Sequence, residues 1–223
     1  MTYLLPILGV LLSFAFVFIA KPKRKENFKL LLAFSGAFLL ALTVFELFPS
    51  AYENSDAKTV GIFVLLGILL QIFLEFFSKG AEHGHVHLDK EKSDFPWLLF
   101  LSLSIHAFLE GFPIEKHDTI IYGILIHKVP IAIILSIFLL ESKVKLVHAI
   151  FFILLFSLMT PLGSYIAANF DFATDFYAPI TALVIGVFLH ISTVILFESS
   201  EGHKFNLRKL LVIIVAIIIA YFL

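Results

Sequence analysis

The chain has no cysteine and a single tryptophan among its 223 residues. Lack of cysteine excludes disulfides, thiolate metal ligands and cysteine nucleophiles. Charge is also scarce, with Asp, Glu, Lys and Arg together at 15% and a formal net charge of -1. That balance leaves no electrostatic footprint for nucleic acid. Apolar residues fill the remainder. They reach 60% of the chain, with 27 phenylalanines, and the mean hydropathy is +1.02. A soluble fold cannot hide that much apolar surface, so the surplus is expected to face a lipid bilayer.

A helix needs about 20 apolar residues to cross a bilayer. Polar breaks divide the chain into eight such runs: 4–20, 29–48, 59–78, 95–114, 119–141, 145–168, 177–197 and 207–223. The expected fold is therefore an all-α polytopic membrane protein of eight transmembrane helices, forming a single domain over 1–223. The first run has no basic residues before it, and its cluster Lys21, Lys23, Arg24 and Lys25 follows it. This order suits an uncleaved helix rather than a signal peptide.

Basic residues orient the spans. Of the 16 lysines and arginines, Lys58 and Lys116 lie in the loops after the second and fourth spans, and Lys128 lies inside a span. The remaining 13 follow the first, third, fifth and seventh spans. The positive-inside rule then puts both termini outside, in a plasma or inner membrane, with residues 79–94 as a cytoplasmic loop.

Two spans share a pattern. Gly36-Ala37-Phe38-Leu39 to Thr43-Val44 and Gly186-Val187-Phe188-Leu189 to Thr193-Val194 both read G-x-F-L-x-x-x-T-V. They cross in opposite senses, as in an inverted repeat of helices 1–3 and 6–8 around helices 4–5. Chance likeness of two apolar helices is the alternative.

A charge in the hydrocarbon core costs several kcal/mol, so each needs a reason. The residues in question are Glu46, Glu75, His106, Glu110, His127, Lys128 and His190. Glu75 is near the inner end of its span and is expected to reach water. His106 and Glu110 are four apart, on one helix face. They can share a divalent ion or simply hydrogen-bond to each other. His127 lies as far below the outer end of the fifth span as His106 does below that of the fourth, at about 12 Å depth. A short loop joins the two spans, so the three side chains can meet. Pro113 and Pro130 each free a carbonyl beside a candidate ligand, at Leu109 and Ile126. Such kinks line ion sites, but they are also ordinary in membrane helices. Lys128 lies too deep to snorkel easily, and pairing with Glu110 or Glu46 would offset its burial. As a fixed cation it would replace a second metal ion. The inner loop carries His83, His85 and His87, alternating histidines suited to weak metal binding.

Taken together, these motifs resemble the ZIP transporters of zinc and other divalent metals. The matching stretches are His106-Ala107-Phe108-Leu109-Glu110-Gly111, His127-Lys128-Val129-Pro130, Gly36 to Pro49, Thr160-Pro161-Leu162-Gly163 and Gly186 to His190. The branch with H-K-x-P on the fifth helix is the most similar. The resemblance implies eight helices with both ends outside and an elevator-like movement of helices including four and five. It implies a single metal site of His106, Glu110 and His127, assisted by Glu46 and His190. Ala107, Lys128, Ile131 and Ile195 stand where many members place ligands of a second ion. A homodimer is common in the family.

The resulting expectation is uptake of zinc into the cytoplasm, with no prosthetic group and no enzymatic activity. Iron, manganese and cadmium are alternatives, because ligand identity alone does not fix the metal. A membrane-embedded metallohydrolase with Glu46 as general base is a second reading. A metal sensor that binds without transport is a third.

Overall fold

The computed structural model describes residues 3–22, 29–53, 55–81, 94–117, 119–198 and 207–223. Among these residues every regular element is helical. The helices are α1 (Leu4–Ala20), α2 (Lys29–Leu42), α3 (Phe48–Tyr52), α4 (Ala57–Ser78) and α5 (Trp97–Glu110). They continue with α6 (Ile120–Glu141), α7 (Leu146–Asn169), α8 (Asp171–Asp175), α9 (Tyr177–Glu198) and α10 (Leu207–Tyr221). A π-helical turn, Thr43–Leu47, joins α2 to α3, and a 3-10 turn, Phe112–Glu115, follows α5.

Six of these helical segments are long and apolar enough to cross a membrane: 29–52, 57–78, 97–115, 120–141, 146–169 and 177–197. The chain is thus a polytopic α-helical membrane protein. Its outward face is what lipid requires, with Leu12, Ile19, Phe76 and Val147 all exposed. The apolar helix α1 has 17 residues and α10 has 15, both shorter than these six segments.

The helix ends depart from the sequence reading at two places, both near proline. The second helix was expected to stop at Phe48, but the helical path runs on to Tyr52. Pro49 has no N–H to give back to the preceding turn. The chain answers by widening into the π turn, in which the Phe48 N–H reaches the Thr43 carbonyl. Pro49 then sits in the first turn of α3, where no donor is needed. On the fourth span, α5 ends at Glu110, and Pro113 lies in the 3-10 turn. By contrast α6 passes through Pro130 without a break.

Two helix ends carry a positive charge in an unusual backbone conformation. Lys21 closes α1 with φ 44°, and Lys79 closes α4 with φ 54°. Each N–H returns to a carbonyl of the last turn, Val17 and Glu75 respectively. A cation at this end also opposes the helix dipole.

Packing divides the helices into two groups. In one, α4 packs on α9, α9 on α2 and α2 on α10. In the other, α1 packs on α6 and α7, and α5 on α7. The closest crossings lie within the groups and depend on paired glycines. A Cβ at Gly67 would run into the Leu183 carbonyl oxygen, and one at Gly186 into that of Val64. Gly111 and Gly163 stand in the same relation to the carbonyls of Thr160 and Phe108. Between the groups, α2 meets α6 and α4 meets α5. The α2–α6 contact is made by side chains, with Leu42 and Leu39 reaching the bare surface of Gly123.

Helix α6 is central to both groups. Its most apolar stretch is 78% buried, against 28% for α4. Ile120, Ile124, Ile131 and Ile134 enter one core, while Ala132, Leu135 and Leu139 enter the other. This position explains how α6 can carry polar side chains away from lipid.

Candidate metal centre

The deepest polar cluster forms between α5 and α6. One turn separates His106 from Glu110, so both point from the same face of α5, and both are buried. Nε2 of His106 is 2.9 Å from Oε1 of Glu110. Across the helix interface, His127 turns its ring to the His106 ring, with centroids 6.4 Å apart at 79°. One ligand atom from each of His106, Glu110 and His127 lies within 4.8 Å of the others. Tetrahedral zinc with bonds of about 2.0–2.1 Å would set such atoms about 3.3 Å apart. The widest separation allowed here exceeds that by about 1.5 Å, so binding would draw the three side chains together.

Lys128 belongs to the same cluster. Its Nζ is 2.6 Å from Oε2 of Glu110 and 5.0 Å from the centre of the Phe156 ring. The side chain is 3% exposed, which rules out snorkelling to water. Of the two partners the sequence offered, Glu110 is the one used. The Glu110 carboxylate is thereby divided, with one oxygen facing the imidazole and the other the ammonium.

Gln71 was missed by the sequence reading. It is fully buried on α4, and its Oε1 is 3.2 Å from Nδ1 of His106. An amide is neutral, so the cost of burying charge does not single it out. The available signal was a lone glutamine inside the otherwise apolar stretch Val64–Leu74.

Glu46 and His190 are not brought into this cluster. The π turn carries Glu46, whose Oε2 accepts a hydrogen bond from the Thr119 hydroxyl. Nδ1 of His117 is 3.9 Å from the same oxygen. Burial pushes the His117 imidazole below the usual histidine range, with Glu46 opposing and Lys116 reinforcing that shift. Beside them the Lys116 ammonium lies 3.7 Å from the centre of the Tyr177 ring. His190 instead pairs through Nε2 with Oε2 of Glu75, at 2.6 Å. Glu75, expected to reach water, is partly exposed and has this partner. Gln71 and Glu75 are one turn apart on α4, so that helix contacts His106 at one level and His190 at the next. His83, His85 and His87 lie outside the described residues.

No family model matches the chain. A stretch of 93 residues is 38% identical to the protein named Zinc transporter ZIP1 of Danio rerio. It covers 38% of this chain and 30% of that protein. The match is thus a local one, over a minority of both chains. It agrees with the polytopic helical architecture and with the resemblance carried by the sequence motifs.

Proposed function

We propose that the chain is a transporter of divalent metal ions that takes up zinc into the cytoplasm through one intramembrane site. The observation that carries this reading is the buried grouping of His106, Glu110 and His127 between two membrane helices. Two imidazoles and a carboxylate are a donor set suited to zinc. A charge-bearing cluster in the bundle interior is costly and marks a path for ions. The similarity to a zinc transporter points the same way.

The site holds one ion because the Lys128 ammonium stands beside the second oxygen of Glu110, where a second cation would otherwise sit. Eight spans with both termini outside fit the distribution of lysine and arginine. Glu46 and His117 then flank the outer approach, and His190 with Glu75 flanks the inner one. The histidines of the 79–94 loop receive the ion on the cytoplasmic side.

The movement is of elevator type, with α1, α5, α6 and α7 sliding against α2, α4, α9 and α10. Its support is the location of the tight glycine crossings, which fall within these groups and would keep each rigid. An inverted repeat agrees with the packing. Exchanging the first three spans for the last three converts the α4–α9 contact into α10–α2, and α1–α6 into α7–α5. The matched Thr43 and Thr193 make the same bond, each hydroxyl donating to a leucine carbonyl four residues earlier at 2.7 Å.

The test is zinc uptake into proteoliposomes by the native chain, His106→Ala and Glu110→Ala. Flux that is lost in both variants supports transport through this site. Zinc binding without flux in the native chain would overturn the transporter reading.

A further inference from the structure

We infer that Gln71 is a positioning residue for the metal site: from α4, it fixes the ring of His106 so that Nε2 is the ligand atom. This rests on the proposed role of His106 as a zinc ligand. A neutral imidazole has one nitrogen that donates and one that accepts, and only the accepting nitrogen can bind a metal. Nε2 of His106 faces Oε1 of Glu110 at 2.9 Å, so it is the nitrogen turned towards the other candidate ligand of its helix. Nδ1 faces the amide oxygen of Gln71 at 3.2 Å. Without metal, both ring nitrogens face acceptor oxygens, Nε2 that of Glu110 and Nδ1 that of Gln71; when an ion takes the place of the proton on Nε2, the Gln71 oxygen keeps the other proton on Nδ1. Metal-binding histidines depend on such a partner for both tautomer and ring orientation.

Three features separate this from an ordinary buried hydrogen bond. Both residues are almost wholly buried, so no water competes for Nδ1. The amide nitrogen of Gln71 has no hydrogen-bond partner among the described residues. A glutamine held for stability alone would satisfy both ends of its amide, whereas this one satisfies the end that meets His106. Finally, Gln71 comes from the other helix group, so it acts in this conformation and would part from His106 when the two groups slide. Its helix is locked onto α9 at the Gly67–Gly186 crossing, one turn away, so the acceptor is presented on a firm backbone.

The variant that removes the acceptor is Gln71→Leu, and the one that keeps it is Gln71→Glu. Leucine at a buried position of a membrane helix removes an unpartnered donor, so the zinc-free protein should unfold at the same temperature as the native or higher. Zinc affinity of the purified full chain in detergent is then measured by calorimetry. Gln71→Leu should weaken it roughly 10–100-fold, the usual effect of losing the partner of a metal-bound histidine. Gln71→Glu should stay within a few-fold of native. Nitrogen-15 spectra of histidine-labelled, zinc-loaded protein should show His106 protonated at Nδ1 in the native chain and in Gln71→Glu, and a mixture of tautomers in Gln71→Leu.

His106→Ala separates the two ways of failing. If it binds zinc as tightly as the native chain, the site reading falls, and the role of Gln71 falls with it. If His106→Ala abolishes binding while Gln71→Leu matches native affinity and tautomer, only the inference about Gln71 is overturned.

Discussion

Glu110 is held from both sides: Oε1 lies 2.9 Å from His106 on its own helix, and Oε2 lies 2.6 Å from Lys128 on the next. The pair is buried, so its two charges cannot be judged separately. Lys128→Met leaves the carboxylate without its cation. Loss of one partner of a buried pair costs about 3–5 kcal/mol, and unfolding in mixed micelles should register it. Added zinc should recover much of the loss, because the ion restores positive charge beside Glu110. Lys128→Asp goes further by adding a ligand where the ammonium stood. If the lysine replaces a second ion, bound metal should rise from one to two per chain by elemental analysis. A count that stays at one in Lys128→Asp would end that idea.

The glycine crossings give a sharper contrast of position. At Gly67 a Cβ meets backbone, which cannot move aside without separating α4 from α9. Gly67→Ala should destabilise the protein by about 1–3 kcal/mol, the usual range for overpacking. Gly61 lies on the same helix with nothing near its Cβ position. Gly61→Ala should be neutral or stabilising by up to about 1 kcal/mol, from helix propensity alone. Equal effects in the two variants would contradict the crossing geometry.

Run length and flanking charge made the helix positions legible, because a bilayer demands a minimum apolar length whatever the details of packing. Two features were not legible. Pro49 reads as a stop, and only the structure reveals that a π turn carries the helix past it. That turn sets the direction of Glu46, so sequence spacing could not say whether Glu46 reaches His106 or, as found, Thr119 and His117. His106, Glu110 and His127 could be grouped in advance because a fixed helical spacing and a short loop constrain them. Gln71 could not, since its contact with His106 depends on which face of α4 meets α5. His190 failed for the same reason: it faces α4 and Glu75 rather than α5.

Outside the membrane, Asp56 caps α4. Its Oδ2 accepts from the Thr59 N–H at 2.8 Å and from the Thr59 hydroxyl at 2.9 Å. These bonds, the backbone one first, hold the carboxyl below its ordinary value of 3.8. A depressed carboxyl contributes stability above its unfolded pKa and loses it as pH falls through the folded one. The start of α4 should therefore fray only below about pH 4. Amide hydrogen exchange at Thr59 and Val60 checks this. Asp56→Ala should raise exchange there at neutral pH and abolish the acid dependence, and Asp56→Asn should lose the acid dependence while keeping much of the cap.

Glu46 and His190 each have a partner away from the central cluster, and this decides what their loss should do. With Thr119 and His117 around Glu46, and Glu75 against His190, neither side chain contributes a ligand atom to the grouping of His106, Glu110 and His127. Glu46→Gln and His190→Ala should therefore leave zinc affinity of the purified chain within about threefold of native, less than 1 kcal/mol. Proteoliposome flux should still fall in both, if the two pairs line the outer and inner approaches to the site. The comparison has to be made at equal protein incorporation and at zinc concentrations that saturate the native chain. A large loss of affinity in His190→Ala would mean that α9 moves its histidine into the site when metal binds, and the separate inner pair would have to be abandoned.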